Sequence, residues 1–146
     1  MKPIIVIHDT GADLRSTLRQ MQSSSSGISY HVVIGLDGSI YYVVPPHEKA
    51  YGAARSSFKG ESIDGSVDDF AYHVALETGT YTDAQYLSLA YVIARTGIED
   101  ERITTHAEVD TSGLFKDPES IDMSRVFSSL KKFSRTAVID MGVKDD

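Results

Sequence analysis

The chain contains no cysteine. It can therefore form no disulfide framework and hold no thiolate-ligated metal, so any metal must be bound by His, Asp or Glu. The same absence fits every redox compartment and assigns none. Long apolar runs are missing too. The stretch Ile4-Ile5-Val6-Ile7 near the N-terminus is far too short for a signal peptide or a membrane span. Cytoplasmic synthesis without an address, and no membrane partner, are the expectations. Basic residues are in the minority, with 14 Lys and Arg against 21 Asp and Glu, a net charge of −7 and a pI near 5.1. Nothing resembles a basic stripe for phosphates, so no nucleic-acid partner is expected. The same balance argues against simple electrostatic attraction to an anionic membrane or wall. A neutral or small ligand held in a pocket remains. No internal repeat is visible.

What is present describes one globular domain. The 146 residues suffice for a real core, and the hydrophobic fraction of 41% and charged fraction of 24% are ordinary for such a chain. Ile4 to Ile7 is a β-branched run and reads as a strand buried on both faces. Extended geometry puts Ile4, Val6 and His8 on one side, with His8 leaning out at the strand's end. Asp9 or Thr10 can cap a helix over Ala12 to Gln22, whose Leu14, Leu18 and Met21 share a stripe. Ser23 to Ser26 and Gly27 read as a flexible connector. The segments 29–34 and 39–44 flank Leu36-Asp37-Gly38, a strong hairpin signal that Pro45-Pro46 closes.

From His47 to Asp69 the pattern dissolves into glycine, serine and charge. A loop of that length is either a groove wall or a solvated excursion. Residues 70–77 read as a further strand ending on Glu77, on the same side as His73 and Ala75. Thr82-Asp83-Ala84-Gln85 has the form of a capping box. It opens a helix through about Arg95, with Tyr86, Leu89, Ala90 and Ile93 buried and Gly97 as the stop. A short strand over 103–105 is expected to end on His106. Ser120 or Asp122 can cap a last helix through about Phe133, with Met123, Val126, Phe127 and Leu130 inward. The expected organisation is one domain over residues 1–133 and a tail over 134–146, frayed at Lys144-Asp145-Asp146, with Ala137 to Ile139 able to dock.

The chemistry gathers at Thr105-His106-Ala107-Glu108-Val109 and the loop Gly113-Leu114-Phe115-Lys116-Asp117-Pro118. A histidine at a strand end, then a lysine and an aspartate together in a loop, supply two metal ligands and a cation for a developing oxyanion. The third ligand must come from elsewhere, and His8 is the candidate. Taken alone, His8 reads as a satisfied core histidine, since isolated histidines are usually structural, while Glu77 reads equally as an edge residue or as a general base at the same rim. His31 and His73 read as packing groups or supports behind the site, and His47 as a surface residue.

The order of these motifs resembles the zinc-dependent N-acetylmuramoyl-L-alanine amidases of type 2, which include phage amidase lysozymes, bacterial muropeptide-recycling amidases and peptidoglycan-recognition proteins. The resemblance is carried by Ile5-Val6-Ile7-His8-Asp9-Thr10, Ser29-Tyr30-His31-Val32-Val33-Ile34 with Asp37-Gly38, Ala75-Leu76-Glu77, Tyr81-Thr82-Asp83-Ala84-Gln85, and His106-Ala107-Glu108-Val109 with Lys116-Asp117-Pro118. It spans roughly residues 3 to 130. It implies a single α/β domain with a central mixed β-sheet flanked by helices, and zinc (Zn2+) held by His8, His106 and Asp117. Glu77 matches the glutamate that activates water in the recycling enzymes, Tyr30 a tyrosine important in the phage enzymes, and Lys116 the lysine that supports the oxyanion. Three departures stand out. Lys116 adjoins Asp117 instead of preceding it by two positions. The aromatic-His-Ala-Gly segment of relatives is Tyr51-Gly52-Ala53-Ala54. Glu119 replaces the usual glycine after the ligand's proline.

The implied activity is hydrolysis of the amide between N-acetylmuramic acid and L-alanine in peptidoglycan, by a monomeric, bacteriolytic phage-type endolysin released through a holin to the cell wall. A cytosolic muropeptide-recycling amidase is the alternative within the same chemistry. A peptidoglycan-binding module without catalysis is the alternative outside it, and a plain α/β domain with structural histidines is the third.

Overall fold

The computed structural model describes residues 1–23 and 27–142. Most of the expected Ser23–Ser26 connector, and the Lys144-Asp145-Asp146 end, lie outside the described residues. Five strands form one sheet: β1 (Ile4–Asp9), β2 (Val32–Ile34), β3 (Ile40–Tyr42), β4 (Ala71–Leu76) and β5 (Ile103–Thr105). Their order is β3-β2-β4-β1-β5. β1 runs parallel to β4 and β5, and β2 is parallel to β4 but antiparallel to β3. The sheet is therefore mixed, as the sequence implies.

Alternation along β1 divides the core. Ile5 and Ile7 join Val32, Ile34, Tyr72, Val74 and Leu76 beneath the helix α2 (Asp83–Thr96). Ile4 and Val6 join Ala53, Phe58, Val67 and Phe70 on the opposite face. Continuous β-branched residues suit a central parallel strand because both of its faces are dry. α2 follows its expected chemistry. Thr82 and Gln85 complete the capping box, Gly97 ends the helix in the left-handed region at φ 69°, and Tyr86, Leu89, Ala90 and Ile93 are buried.

The helix α1 spans Leu14–Met21 and is capped by Asp13, whose side chain accepts from the Ser16 N–H. It starts later than expected because Asp9 and Thr10 are committed elsewhere. Asp9 accepts from the Tyr81 hydroxyl and the Gly11 N–H, while the Thr10 hydroxyl donates to the Ala12 carbonyl. Leu14, Leu18 and Met21 pack on Tyr30, Val33 and Ala75, as their spacing predicts. The single turn α3 (His106–Val109) begins on His106 instead of following it. The last helix, α4 (Met123–Leu130), is capped by Asp122 and ends a few residues early. Beyond it the chain docks on the end of α2, with the N–H groups of Thr136, Val138 and Ile139 donating to the carbonyls of Ala94 and Arg95.

The hairpin turn Gly35–Ser39 lies against α2. Gly38 has φ +85°, and a Cβ there would stand 2.9 Å from that of Ala84, so the close approach requires glycine. The long 47–69 segment is neither a free excursion nor wholly a groove wall. Its middle drives Phe58 and Val67 into the second core, and only Tyr51 to Ala54 face the groove described next.

Candidate metal centre

At the end of β1 lies a groove of about 630 Å³, lined by Asp9 to Gly11, Tyr30, Tyr51 to Ala54, His106 and the loop from Leu114 to Asp117. Behind its lining residues His106 and Asp117 lies His8, fully buried at the end of β1, with the ring of Tyr30 4.9 Å away. Burial, together with His73, His106 and His31 beside it, holds His8 well below the usual imidazole range, so the ring is neutral. The expectation that it leans out of the core is corrected: the ring is fully buried, with its Nδ1 turned to His106 and Asp117.

His106 comes from the far end of β5, which pairs with β1. Its Nδ1 is 3.2 Å from His8 Nδ1 and 3.0 Å from Asp117 Oδ1. Asp117 is aimed by the chain end of β1, since the Asp9 N–H donates to its Oδ2 at 3.0 Å. The Asp117 carbonyl in turn accepts from the Ala107 N–H, which ties the loop to α3. One ligand atom from each of His8, His106 and Asp117 lies within 4.8 Å of the others. Two ligands of one tetrahedral zinc stand roughly 3.3 Å apart, so the pair of imidazole nitrogens already has the spacing such an ion needs. Two nitrogens and one oxygen also form a donor set that leaves a fourth corner free, the composition of catalytic zinc sites. The residues present fit the ion.

Tyr30 and Lys116 both line the groove. The Tyr30 hydroxyl is pushed up to about 12 by burial and by the nearby Asp117 and Asp9 carboxylates, so it remains a hydrogen-bond donor at neutral pH. Lys116 is exposed at the mouth beside Phe115, whose ring stacks on His106 at 4.4 Å. The structure thus gathers His8, His106, Asp117, Tyr30 and Lys116 around one space.

It does not bring Glu77 there. The Glu77 carboxylate accepts from the Leu14 N–H through Oε2 and from the Leu36 N–H through Oε1, each at 2.8 Å. Both oxygens are thereby turned toward the start of α1 and the hairpin. Its neighbours Thr78 and Gly79 line the groove, whereas Glu77 does not. Both Glu77 oxygens are thus engaged by backbone amides, next to Thr78 and Gly79, which line the groove. The carboxylates that do line it, among the described residues, are Asp9, Asp117 and Glu119.

His31 and His73 are fully buried and hydrogen-bonded, and His47 is exposed, as expected. The sequence reading passed over Asp68, which contacts His73 from the entry to β4. A carboxylate five residues ahead of a histidine buried in a strand was the available signal.

The family model for N-acetylmuramoyl-L-alanine amidase matches residues 3–120. A solved structure of a selenomethionine AmpD derivative shares 25% identity at a TM-score of 0.71, over 89% of this chain and 86% of that one. AmiD from E. coli was solved with the substrate anhydro-N-acetylmuramic acid-L-Ala-D-γ-Glu-L-Lys. It shares 21% identity at a TM-score of 0.76, and the match covers 88% of this chain but only 57% of AmiD. PlyL shares 18% identity at a TM-score of 0.61, over 94% and 87% of the two chains. No curated protein sequence matches.

Proposed function

The chain belongs to the N-acetylmuramoyl-L-alanine amidase family, enzymes that hydrolyse a peptidoglycan amide, and on that premise we propose that it does so with zinc held by His8, His106 and Asp117. The observation that carries this reading is that one ligand atom from each of these three residues lies within 4.8 Å of the others. When bound, zinc supplies a Lewis acid and makes a water nucleophile available at neutral pH. The substrate is the amide between the lactyl group of N-acetylmuramic acid and the L-alanine of the stem peptide.

The chain's own residues do the rest. Tyr30, protonated and half-enclosed by the site, donates toward the oxyanion of the tetrahedral intermediate. Lys116 adds a positive charge at the mouth. Asp117, held by the Asp9 N–H, keeps its carboxylate oriented toward His106 while substrate enters. Glu77 sets the groove's frame by pinning α1 and the hairpin to the end of β4. One chain builds the whole groove, which supports action as a monomer.

For the biological role we propose a phage-type endolysin. Its support is the open groove with an apolar rim, where Tyr51, Leu114 and Phe115 are exposed and can lie along a polymer. A recycling amidase acting on soluble muropeptides is favoured instead by the charge of −7, which repels an anionic wall.

The test is metal analysis of the purified chain, paired with release of L-alanine amino termini from peptidoglycan before and after chelation. One zinc per chain, with release that stops on chelation and returns with Zn2+, is expected. Bound zinc without release would leave a binding module. Release from intact sacculi, against release from soluble muropeptides alone, separates the two roles.

A further inference from the structure

The edge of the His8 ring opposite its Nδ1 is not free. His8 Nε2 lies 2.7 Å from His73 Nδ1, and His73 Nε2 lies 2.9 Å from Asp68 Oδ1. All three side chains are at least nine-tenths buried. A carboxylate offers lone pairs only, so the proton between Asp68 and His73 is on His73 Nε2. In a neutral His73 the lone pair is then on Nδ1, and the proton between the two rings belongs to His8 Nε2. That leaves the His8 Nδ1 lone pair facing His106 Nδ1 and Asp117. With His73 neutral, the direction of both hydrogen bonds follows from one fixed acceptor.

The surroundings hold this chain in place. Asp68 Oδ1 also accepts from the Ala53 N–H at 3.0 Å. The His73 backbone is locked to His31: the His73 N–H donates to His31 Nδ1, and the His31 backbone N–H donates to the His73 carbonyl. The His31 ring is fixed in turn by Nε2, which donates to the Glu48 carbonyl at 2.8 Å. Gly52 makes room for the His73 ring. A Cβ at that position would stand 2.6 Å from His73 Nδ1, the atom that faces His8, so a side chain there would displace the contact. His106 has no such backing. Its Nε2 is buried without a hydrogen-bond partner among the described residues, and Phe115 stacks on its ring.

We propose that Asp68 and His73 are positioning residues for the metal. The carboxylate sets the tautomer of His73, His73 sets that of His8, and His8 Nδ1 is thereby presented unprotonated to the ion. The inference rests on the metal reading above. Neither residue touches substrate. A partner behind a ligating imidazole fixes its tautomer and raises its basicity, and losing such a partner costs roughly 10- to 100-fold in metal affinity.

Zn2+ affinity of the full chain, read by competition with a chromophoric chelator, tests it together with 1H–15N long-range NMR of the imidazoles in the metal-free wild type. The NMR is expected to show His8 protonated on Nε2 alone. His73→Phe keeps the volume but offers no acceptor, and should weaken Zn2+ binding by roughly 10- to 100-fold. His73→Asn returns an amide oxygen near the Nδ1 position and should recover most of that loss, an outcome a purely packing role would not produce. A His8 proton on Nδ1, or wild-type affinity in His73→Phe, would overturn the relay while leaving the metal site standing. A wild type that binds no Zn2+ would overturn the metal reading and the relay with it. The NMR readout needs no variant, so it decides the matter even where His73→Phe does not fold.

Discussion

His8 Nδ1 and His106 Nδ1 face each other at 3.2 Å although 98 residues separate them in sequence. Two imidazole nitrogens held that close in a dry site repel unless a proton or a cation lies between them. The sheet enforces the meeting, because β1 and β5 are neighbours and both histidines come from their adjoining ends. The ligand pair is thus a product of strand order.

Removing a ligand is the most direct consequence to check. His106→Ala or Asp117→Ala should reduce zinc from one per chain to a trace. Amide hydrolysis should fall by more than about a hundredfold, since even supporting residues are worth about 10- to 100-fold at such sites. Inductively coupled plasma analysis and an amino-terminus release assay on the same preparation measure both.

Tyr30→Phe deletes one donor and nothing else of the ring. Zinc content should be unchanged and kcat should fall about 10²-fold or more, the usual worth of one oxyanion donor. The hydroxyl is pushed up to about 12 by burial and by Asp117 and Asp9, so the wild-type pH profile should show no limb from Tyr30 near neutrality. A fall in affinity for substrate with kcat preserved would assign Tyr30 to binding instead.

Glu77→Gln is expected to show itself first in stability. One carboxylate oxygen becomes an NH2 group facing a backbone N–H of Leu14 or Leu36, leaving donors opposed at a cost of about 1–3 kcal/mol. Calorimetry should record a lower Tm alongside any loss of turnover. Lost turnover at an unchanged Tm would return Glu77 to the chemistry.

The Glu77 result shows where local reading stops. Its place at the end of β4 is legible from the strand pattern, but its direction is decided by two amides supplied by residues 14 and 36. The same holds for Asp9 and Thr10. Both are ordinary capping types, and both are drawn off by Tyr81, Gly11 and Ala12, which leaves Asp13 as the cap. What the sequence does show plainly is chemistry closed within a few residues: the Asp37-Gly38 hairpin, the Thr82–Gln85 box, the Gly97 stop and the β-branched run of β1. The candidate ligands are legible as donor residue types, His8 and His106 at strand ends and Asp117 in the loop that follows, and the motif resemblance groups them. His73 and Asp68 stayed in the background because their role depends on the parallel register that sets Val6 of β1 beside His73 of β4.

Asp110 makes the loop that carries Lys116 and Asp117 sensitive to acid. Burial raises its carboxyl, but the Ser112 hydroxyl and the N–H groups of Phe115, Ser112 and Gly113 outweigh this and bring it to about 2. A carboxyl lowered on folding stabilises the native state above its unfolded value of about 4 and loses that contribution as pH falls toward the folded value. Stability should therefore decline between about pH 4 and pH 2, and Asp110→Asn should flatten that part of the profile. Denaturant melts at a series of pH values measure it.

Strand order also bears on how the chain reaches this state. β1 is synthesised well before either neighbour, and its four isoleucine and valine residues are wholly enclosed in the finished sheet. On the ribosome that segment must wait, sticky and unpaired, until β4 and then β5 emerge. Long-range parallel pairing of this kind is slow and exposes a chain to self-association. A nascent chain halted before β5 has no means of assembling the ligand cluster.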